Sequence, residues 1–511
     1  MKYQVISSFK GIKPKPNYAY LVEDTWDDWF EFSTQYGLYV FDSKSERHQI
    51  GDVKIGQYRM KEDQRRPNIS SKFDSLDKRF FSLGQDASYY ENLNTLKPEV
   101  RTKILIDLND LALNPTEINR AKRERVTTRS LLRSIPVATV RNQFHRMTKG
   151  GARLTRYDFA YTPATRAGTR PLPVALQFNV VPESNPPSNI HVLIGRNGVG
   201  KTHTLSQMTS CLVGNSSGKS SGAFIFNEDF GSYSNSFANL VSVSFSAFDS
   251  FIPPTNAQEK ESETEYCYIG LKRSTGGKYS GRPKSPQMLT NEFVKAIFEC
   301  MTGARQERWQ NALQTLEADP IFKEADVASL ATFSEDQESF KSLAEKLFEK
   351  LSSGHKIVLL TMTRLVETVS ECTLILLDEP EAHLHPPLLS AFIRALSDLL
   401  TNQNGVAIIA THSPVILQEV PSNCVWKLQR TGFALKAERP ECETFGENVG
   451  VLTSEVFGLE VTHSGFHKML REAVDKGLSY KAILRKFDDS LGGEARAIAM
   501  SLTALRDSKE D

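Results

Sequence analysis

The run Gly195-Arg196-Asn197-Gly198-Val199-Gly200-Lys201-Thr202 follows the apolar stretch Ile190 to Ile194 and opens onto the helix-compatible stretch Thr202 to Cys211. Strand, glycine-rich loop and helix in that order are what a phosphate-binding loop requires. The glycines let successive backbone N–H groups close on phosphate oxygens, Lys201 adds a point charge, and Thr202 offers a hydroxyl to magnesium. The helix beginning here aims its partially positive end at the same anion. A glycine-rich turn without a ligand is the bland alternative, and the flanking strand and helix weigh against it.

Two further apolar runs, Thr373 to Leu377 and Val406 to Ala410, read with Ile190 to Ile194 as buried parallel strands of an α/β core. The first ends in Asp378-Glu379, at the carboxyl end of a strand, where α/β sheets bind ligands. Asp378 is placed to hold magnesium, directly or through water. Glu379 points to the other side and is placed to orient or deprotonate an attacking water; an exposed acidic turn is the alternative. The second run ends in Thr411-His412-Ser413-Pro414, where a neutral His412 imidazole is placed to sense a γ-phosphate, against the alternative of a structural histidine. Leu351-Ser352-Ser353-Gly354-His355 introduces an amphipathic helix carrying Ile357, Leu360, Met362, Leu365 and Val369, and its start is either an anion-seeking terminus or an ordinary cap.

The wider composition fits a folded protein. The 511 residues exceed what one core usually organises, with 40% hydrophobic and 24% charged side chains and a net charge of +1. No global field therefore draws the chain to nucleic acid or lipid. Six scattered cysteines suit a reducing compartment and give no zinc spacing, and the start shows no targeting segment, so a cytoplasmic protein with no membrane partner is expected. Alternation between about Trp29 and Tyr58 predicts antiparallel strands, Glu91 to Leu132 reads as helical, and Val137 to Met147 and Arg153 to Thr162 read as two strands joined by Lys149-Gly150-Gly151. Between Arg120 and Arg156 basic residues meet a single carboxylate, Glu124. Arg120, Lys122, Arg123, Arg125 and Arg129 are its candidate nucleic-acid contacts, with a solvated face or an acidic protein partner as the alternatives.

Taken in order, the phosphate loop, Leu-Ser-Ser-Gly, Leu-Leu-Asp-Glu-Pro and Thr-His-Ser resemble the ABC-type ATPases. The resemblance implies ATP with magnesium sandwiched between two copies, Ser352 and Gly354 acting in trans on nucleotide held by Gly195 to Thr202, and Glu379, His412 and Lys201 as catalytic residues. Asp378 to Pro386 looks like the non-transporter branch of chromosome-maintenance, recombination and overcoming-lysogenization-defect proteins, in which the segment holding His383 and His385 serves the interface and the following helix rather than a metal. Phe80 to Gln85, Tyr89 to Leu93, Gly446 to Gly450 and Phe457 to Leu459 are similar to the PtuA ATPases of Septu antiphage systems and certain retrons. That likeness implies an associated HNH nuclease, and in some retrons a reverse transcriptase with RNA-linked DNA. Ser353 and His355 depart from the signature's usual glycine and glutamine, and no clear glutamine follows Val241 to Phe245.

The expected architecture is α/β, an ABC-type P-loop ATPase with N-terminal antiparallel strands, a helical insertion and a helical C-terminal region. Its expected divisions are an N-terminal lobe over 1–285 with a helical, basic insertion at about 91–156, a helical subdomain over 286–350, a C-terminal lobe over 351–430, and a docking region over 431–511. In the docking region Val456, Leu459, Phe466, Leu470 and Val474 supply apolar spacing, Asp488-Asp489 offers no convincing nuclease site, and His463 and His467 read as structural. The expected function is ATP binding and hydrolysis, within a homodimer or higher oligomer, controlling a nuclease in antiphage defence. The alternative is a repair or recombination ATPase that binds DNA without a nuclease partner.

Overall fold

The computed structural model describes residues 1–10, 13, 15–24, 31–61, 63–151, 153–164, 175–213, 221–226, 237–245, 264–273, 281–301, 304–332, 337–382, 384–431, 434–457 and 465–510. The first sheet joins β1 (Lys2–Ile6), β2 (Tyr18–Glu23), β3 (Gln35–Phe41), β4 (Arg47–Gln57), β5 (Lys72–Phe73) and β6 (Phe80–Gly84) in the order β5-β1-β2-β3-β4-β6. Period-two patterning turns Tyr36, Leu38 and Val40 inward. There they share a core with Tyr89, Tyr90 and Leu93 of the helix Ala87–Asn94 and with Ile104 and Leu105 of the helix Pro98–Asp107.

That core closes with Val140, Phe144 and Met147, which corrects the expected strand from Val137 to Met147. The stretch is helical. Its β-branched residues suggest a strand, but its buried side chains recur every three or four positions, and packing on the sheet decided between the two periods. The expected second strand does form, as β7 (Tyr157–Thr162), which pairs with β8 (Leu176–Val180) and with β10 (Ala223–Phe226) in a small antiparallel sheet. Trp29 lies outside the described residues.

The central sheet contains β9 (Ile190–Ile194), β11 (Asn239–Ser244), β12 (Glu265–Gly270), β13 (Thr373–Asp378), β14 (Val406–Thr411), β15 (Val425–Thr431) and β16 (Ala434–Glu438), in the order β12-β11-β13-β14-β9-β15-β16. Neighbours run parallel except β15 with β16. Both faces are covered, which is why these strands read as unbroken apolar runs. Val192, Ile194, Ile375, Leu377, Ala407 and Ile409 face the helices Pro286–Cys300, Ala304–Leu316, Ser353–Thr368 and Pro386–Gln403. Leu193, Leu374, Leu376, Val406 and Ile408 face the helix Lys201–Val213 and the small sheet.

A buried seam ties the N-terminal unit to the amino ends of β13 and β14. Arg146 pairs with Glu371 at 2.7 Å, and both side chains are nearly inaccessible. The Asn404 amide donates to the same Glu371 oxygen, and Arg153 donates to the Asn402 carbonyl. At the far end of the chain the helices Gly465–Asp475, Tyr480–Lys486 and Gly493–Glu510 enclose a small core of their own, which holds Leu470 and Val474, while Val456 packs on the central-sheet core and Phe466 is exposed. Leu459 and His463 lie outside the described residues, and His467 is buried. No helix among the described residues is long and apolar enough to cross a membrane.

Candidate functional site

Parallel strands deliver their following loops to one edge, so β9, β11, β13 and β14 bring distant residues together there. The loop after β9 folds around two left-handed glycines, Gly198 at φ 81° and Gly200 at φ 102°. Gly195 answers a different demand. A Cβ there would stand 2.3 Å from the Leu428 carbonyl oxygen on β15, so only glycine lets the loop lie against that strand. Arg196, Asn197 and Gly198 are exposed at the tip, while Val199 is a buried anchor.

Lys201 is buried and its Nζ donates to the Gly195 carbonyl at 2.8 Å and the Arg196 carbonyl at 3.1 Å. Burial pulls its pKa down, opposed by the negative charges of Glu379, Glu381 and Asp378. One residue on, the Thr202 hydroxyl donates to Asp378 Oδ1 at 3.1 Å. A hydroxyl and a carboxylate facing each other beside an anion loop form the hard-oxygen donor set that magnesium prefers. The cleft beside them is also lined by Ser242 and Ser244 of β11, and Ser244 lies in register with Asp378.

Glu379 leaves β13 in the left-handed region, at φ 46°, held there by its N–H donating to the Ala410 carbonyl at 2.8 Å. Such backbone is uncommon outside glycine. His412 Nδ1 stands 3.7 Å from Glu379 Oε1 and 3.1 Å from Glu381 Oε1. Glu381, absent from the sequence-derived site, is what fixes this geometry: its Oε1 also accepts from the Thr411 hydroxyl at 2.6 Å and from the His412 N–H at 2.8 Å. In the sequence it is one letter in an acidic turn. Only the pairing of β13 with β14 sets it against the His412 turn.

Ser352 and Gly354 lie at the start of the helix Ser353–Thr368, with Ser352 exposed and Gly354 buried, and the described contacts do not join them to the Lys201 loop of the same copy. Ser352 Oγ and His355 Nδ1 are 2.7 Å apart, and His355 Nε2 lies 3.0 Å from Asp319 Oδ1. The other Asp319 oxygen lies 3.2 Å from His385 Nε2. A carboxylate between two imidazoles suggests a metal site. However, one His385 nitrogen is already engaged: Nδ1 accepts from the Leu388 N–H, capping the helix Pro386–Gln403. The described hydrogen bonds hold Asp319 through Oδ1 alone, to His355 and to the Ile321 and Phe322 N–H groups, and its Oδ2 has no hydrogen-bond partner among the described residues. His383 lies outside the described residues.

Much of the basic stretch is structurally engaged. Arg125 pairs with Glu31, Arg120 pairs with Glu117 and stacks over Tyr58, and Arg153 pairs with Glu91. Lys122, Arg123 and Arg129 are exposed.

A family model described as "AAA domain, putative AbiEii toxin, Type IV TA system" matches residues 307–418. The chain is 41% identical over 513 residues to protein ea59 of Escherichia phage lambda, covering 96% of each. It is 27% identical over 190 residues to the molybdate import ATP-binding protein MolC of Haemophilus influenzae, covering 37% of this chain and 66% of that one. Among solved structures, CbiO1 of an ABC transporter complex from Clostridium perfringens aligns with a TM-score of 0.30 at 15% identity, over 60% of this chain and 94% of that one. The fold is α/β, carrying N-terminal antiparallel strands, helical insertions and a helical C-terminal region.

Proposed function

The chain belongs to the family of protein ea59 of Escherichia phage lambda, and from the edge of its central sheet we propose that it binds ATP with magnesium and hydrolyses it between two copies of itself. The observation that carries this reading is the convergence of Lys201, Thr202, Asp378, Glu379, Glu381 and His412 at one sheet edge. Gly195 to Thr202 cradle the phosphates, and Lys201 exchanges its two loop carbonyls for phosphate oxygens. Thr202 and Asp378 hold magnesium, which when bound neutralises charge on the phosphates. Glu379 orients the attacking water and takes its proton, and His412, steadied by Glu381, contacts the γ-phosphate. Exposed Ser352, with Gly354, completes the pocket of the partner copy.

Replacing Glu379 with Gln is the test. ATP binding should persist while turnover falls by about 100-fold or more, and a two-copy species should accumulate with ATP in light scattering. Unchanged hydrolysis removes Glu379 from the role.

We place the activity in a cytoplasmic conflict system, in which closure of the pair controls an associated HNH nuclease, in a Septu-type or retron-type setting that in the retron case includes a reverse transcriptase and its RNA-linked DNA. Support comes from the toxin-system family model, from the phage-borne relative and from the likeness of the flanking motifs to PtuA. Lys122, Arg123 and Arg129, together with Arg120 and Arg125, form the proposed nucleic-acid face. In this reading the purified chain leaves DNA and RNA intact until the nuclease subunit is added. Cleavage by the chain alone, or DNA-stimulated hydrolysis with no nuclease partner in cells, would replace it with a self-contained nuclease or a repair ATPase.

A further inference from the structure

Where the N-terminal unit meets the central-sheet unit, a cavity of about 30 Å³ is lined from one side by Gln85, Asp86 and Thr139 and from the other by Arg305 and Arg308 of the helix Ala304–Leu316. Two arginines on its wall meet a single carboxylate among the described residues. Asp86 is the one carboxylate on its wall, and that group is already engaged: one oxygen lies 3.2 Å from Arg308 Nη1, and the other accepts the Ser88 N–H. The Arg308 Nε is buried with no partner among the described residues, and so is the hydroxyl of Thr139, a residue 6% exposed. Arg305 makes no direct ion pair among the described residues, and burial pulls its pKa down. Buried donors left in this state are costly, and charged ones more so.

We propose that this cavity is a binding site for one small tetrahedral oxyanion of the phosphate class, held by the guanidinium of Arg305, the Nε–H of Arg308 and the hydroxyl of Thr139. The space suits about two waters or one such anion. Arginine forks match tetrahedral oxyanions in geometry as well as charge. The anion would bridge the two units beside Thr368, Val369 and Ser370, where the helix that starts at Ser353 ends. It would therefore stiffen the seam at the end of that helix remote from Ser352.

The inference does not rest on the ATPase reading, and the test keeps the two apart. The full chain carrying Lys201→Ala, which disables the phosphate loop, is titrated with sodium phosphate and with sodium sulfate, and its melting temperature is compared with sodium chloride at matched ionic strength. A saturable rise with either oxyanion and none with chloride is expected. In the same background Arg305→Gln should weaken the apparent affinity by about tenfold or more, and the near-isosteric Thr139→Val by about threefold. Should Arg305→Gln fail to fold, Thr139→Val decides the matter. No oxyanion-specific rise, or a rise unchanged in the variant that folds, overturns the proposal. A rise present in the parent chain but lost with Lys201→Ala assigns the anion to the phosphate loop and likewise overturns it.

Discussion

Glu379 combines two properties that selection for stability alone would separate, a carboxylate beside His412 and a left-handed backbone. Its Cβ makes that conformation unfavourable, and glycine would relieve the strain. Glu379→Gly is therefore expected to be more stable than Glu379→Ala by about 1 kcal/mol in denaturant unfolding, although both remove the same carboxylate and should be equally inactive. Equal stabilities would show that the turn is not strained. Glu381 is the other residue-scale case. Glu381→Ala leaves the Thr411 hydroxyl and the His412 N–H without their acceptor, so hydrolysis should fall by about tenfold to a hundredfold while ATP affinity changes little. A parallel loss of ATP affinity would instead mean that the turn shapes the binding pocket itself.

At the scale of elements, the phosphate loop and the strands β9, β13 and β14 were legible because their constraints are local: glycines where the backbone must bend, and unbroken apolar runs where both faces are covered. The helix from Val137 was misread because Val137, Thr139 and Val140 favour a strand until a sheet is available for packing. Asp319 was invisible for another reason. It serves His355 and His385 from a different element, and nothing near it in sequence announces either partner. The first sheet carries a testable pH dependence. Burial pushes Asp110 from its ordinary 3.8 up to about 7, against the N–H groups of Ala112 and Leu113 and the Tyr90 hydroxyl, which favour the charged form. A carboxyl raised in the folded state holds its proton there after the unfolded chain has released it, so its contribution to stability is present below about pH 4 and is lost as pH rises to about 7. Asp110→Asn should flatten that part of the melting profile between pH 4 and pH 7. An unaltered slope would assign the dependence elsewhere.

Across the whole molecule, the N-terminal unit is held to the central sheet by an ion pair with almost no access to water. Removing one partner strands the other, so Arg146→Ala should cost about 3 to 5 kcal/mol, whereas replacing both Arg146 and Glu371 with apolar residues of similar volume should cost much less. Chemical denaturation of the single and double variants measures the difference, and equal losses would mean that the pair is not what couples the units. The single variant is also expected to separate unfolding into two transitions, because the first sheet and the central sheet keep distinct cores. That separation was not legible in the sequence, where no linker of distinctive composition divides the units.

His385, in the segment that follows Glu379 and Glu381, stands 3.2 Å from one Asp319 oxygen, and the other Asp319 oxygen contacts His355 and through it Ser352. If two copies close face to face as proposed, Ser352 of each is linked through His355 and Asp319 to the segment that follows its own Glu379 and Glu381. Such wiring favours reciprocal firing, in which one pocket's turnover resets the other. Weakening it with Asp319→Asn should bring a Hill coefficient for ATP hydrolysis closer to one while each pocket still binds nucleotide, and an unaltered coefficient would show that the two pockets communicate by another route.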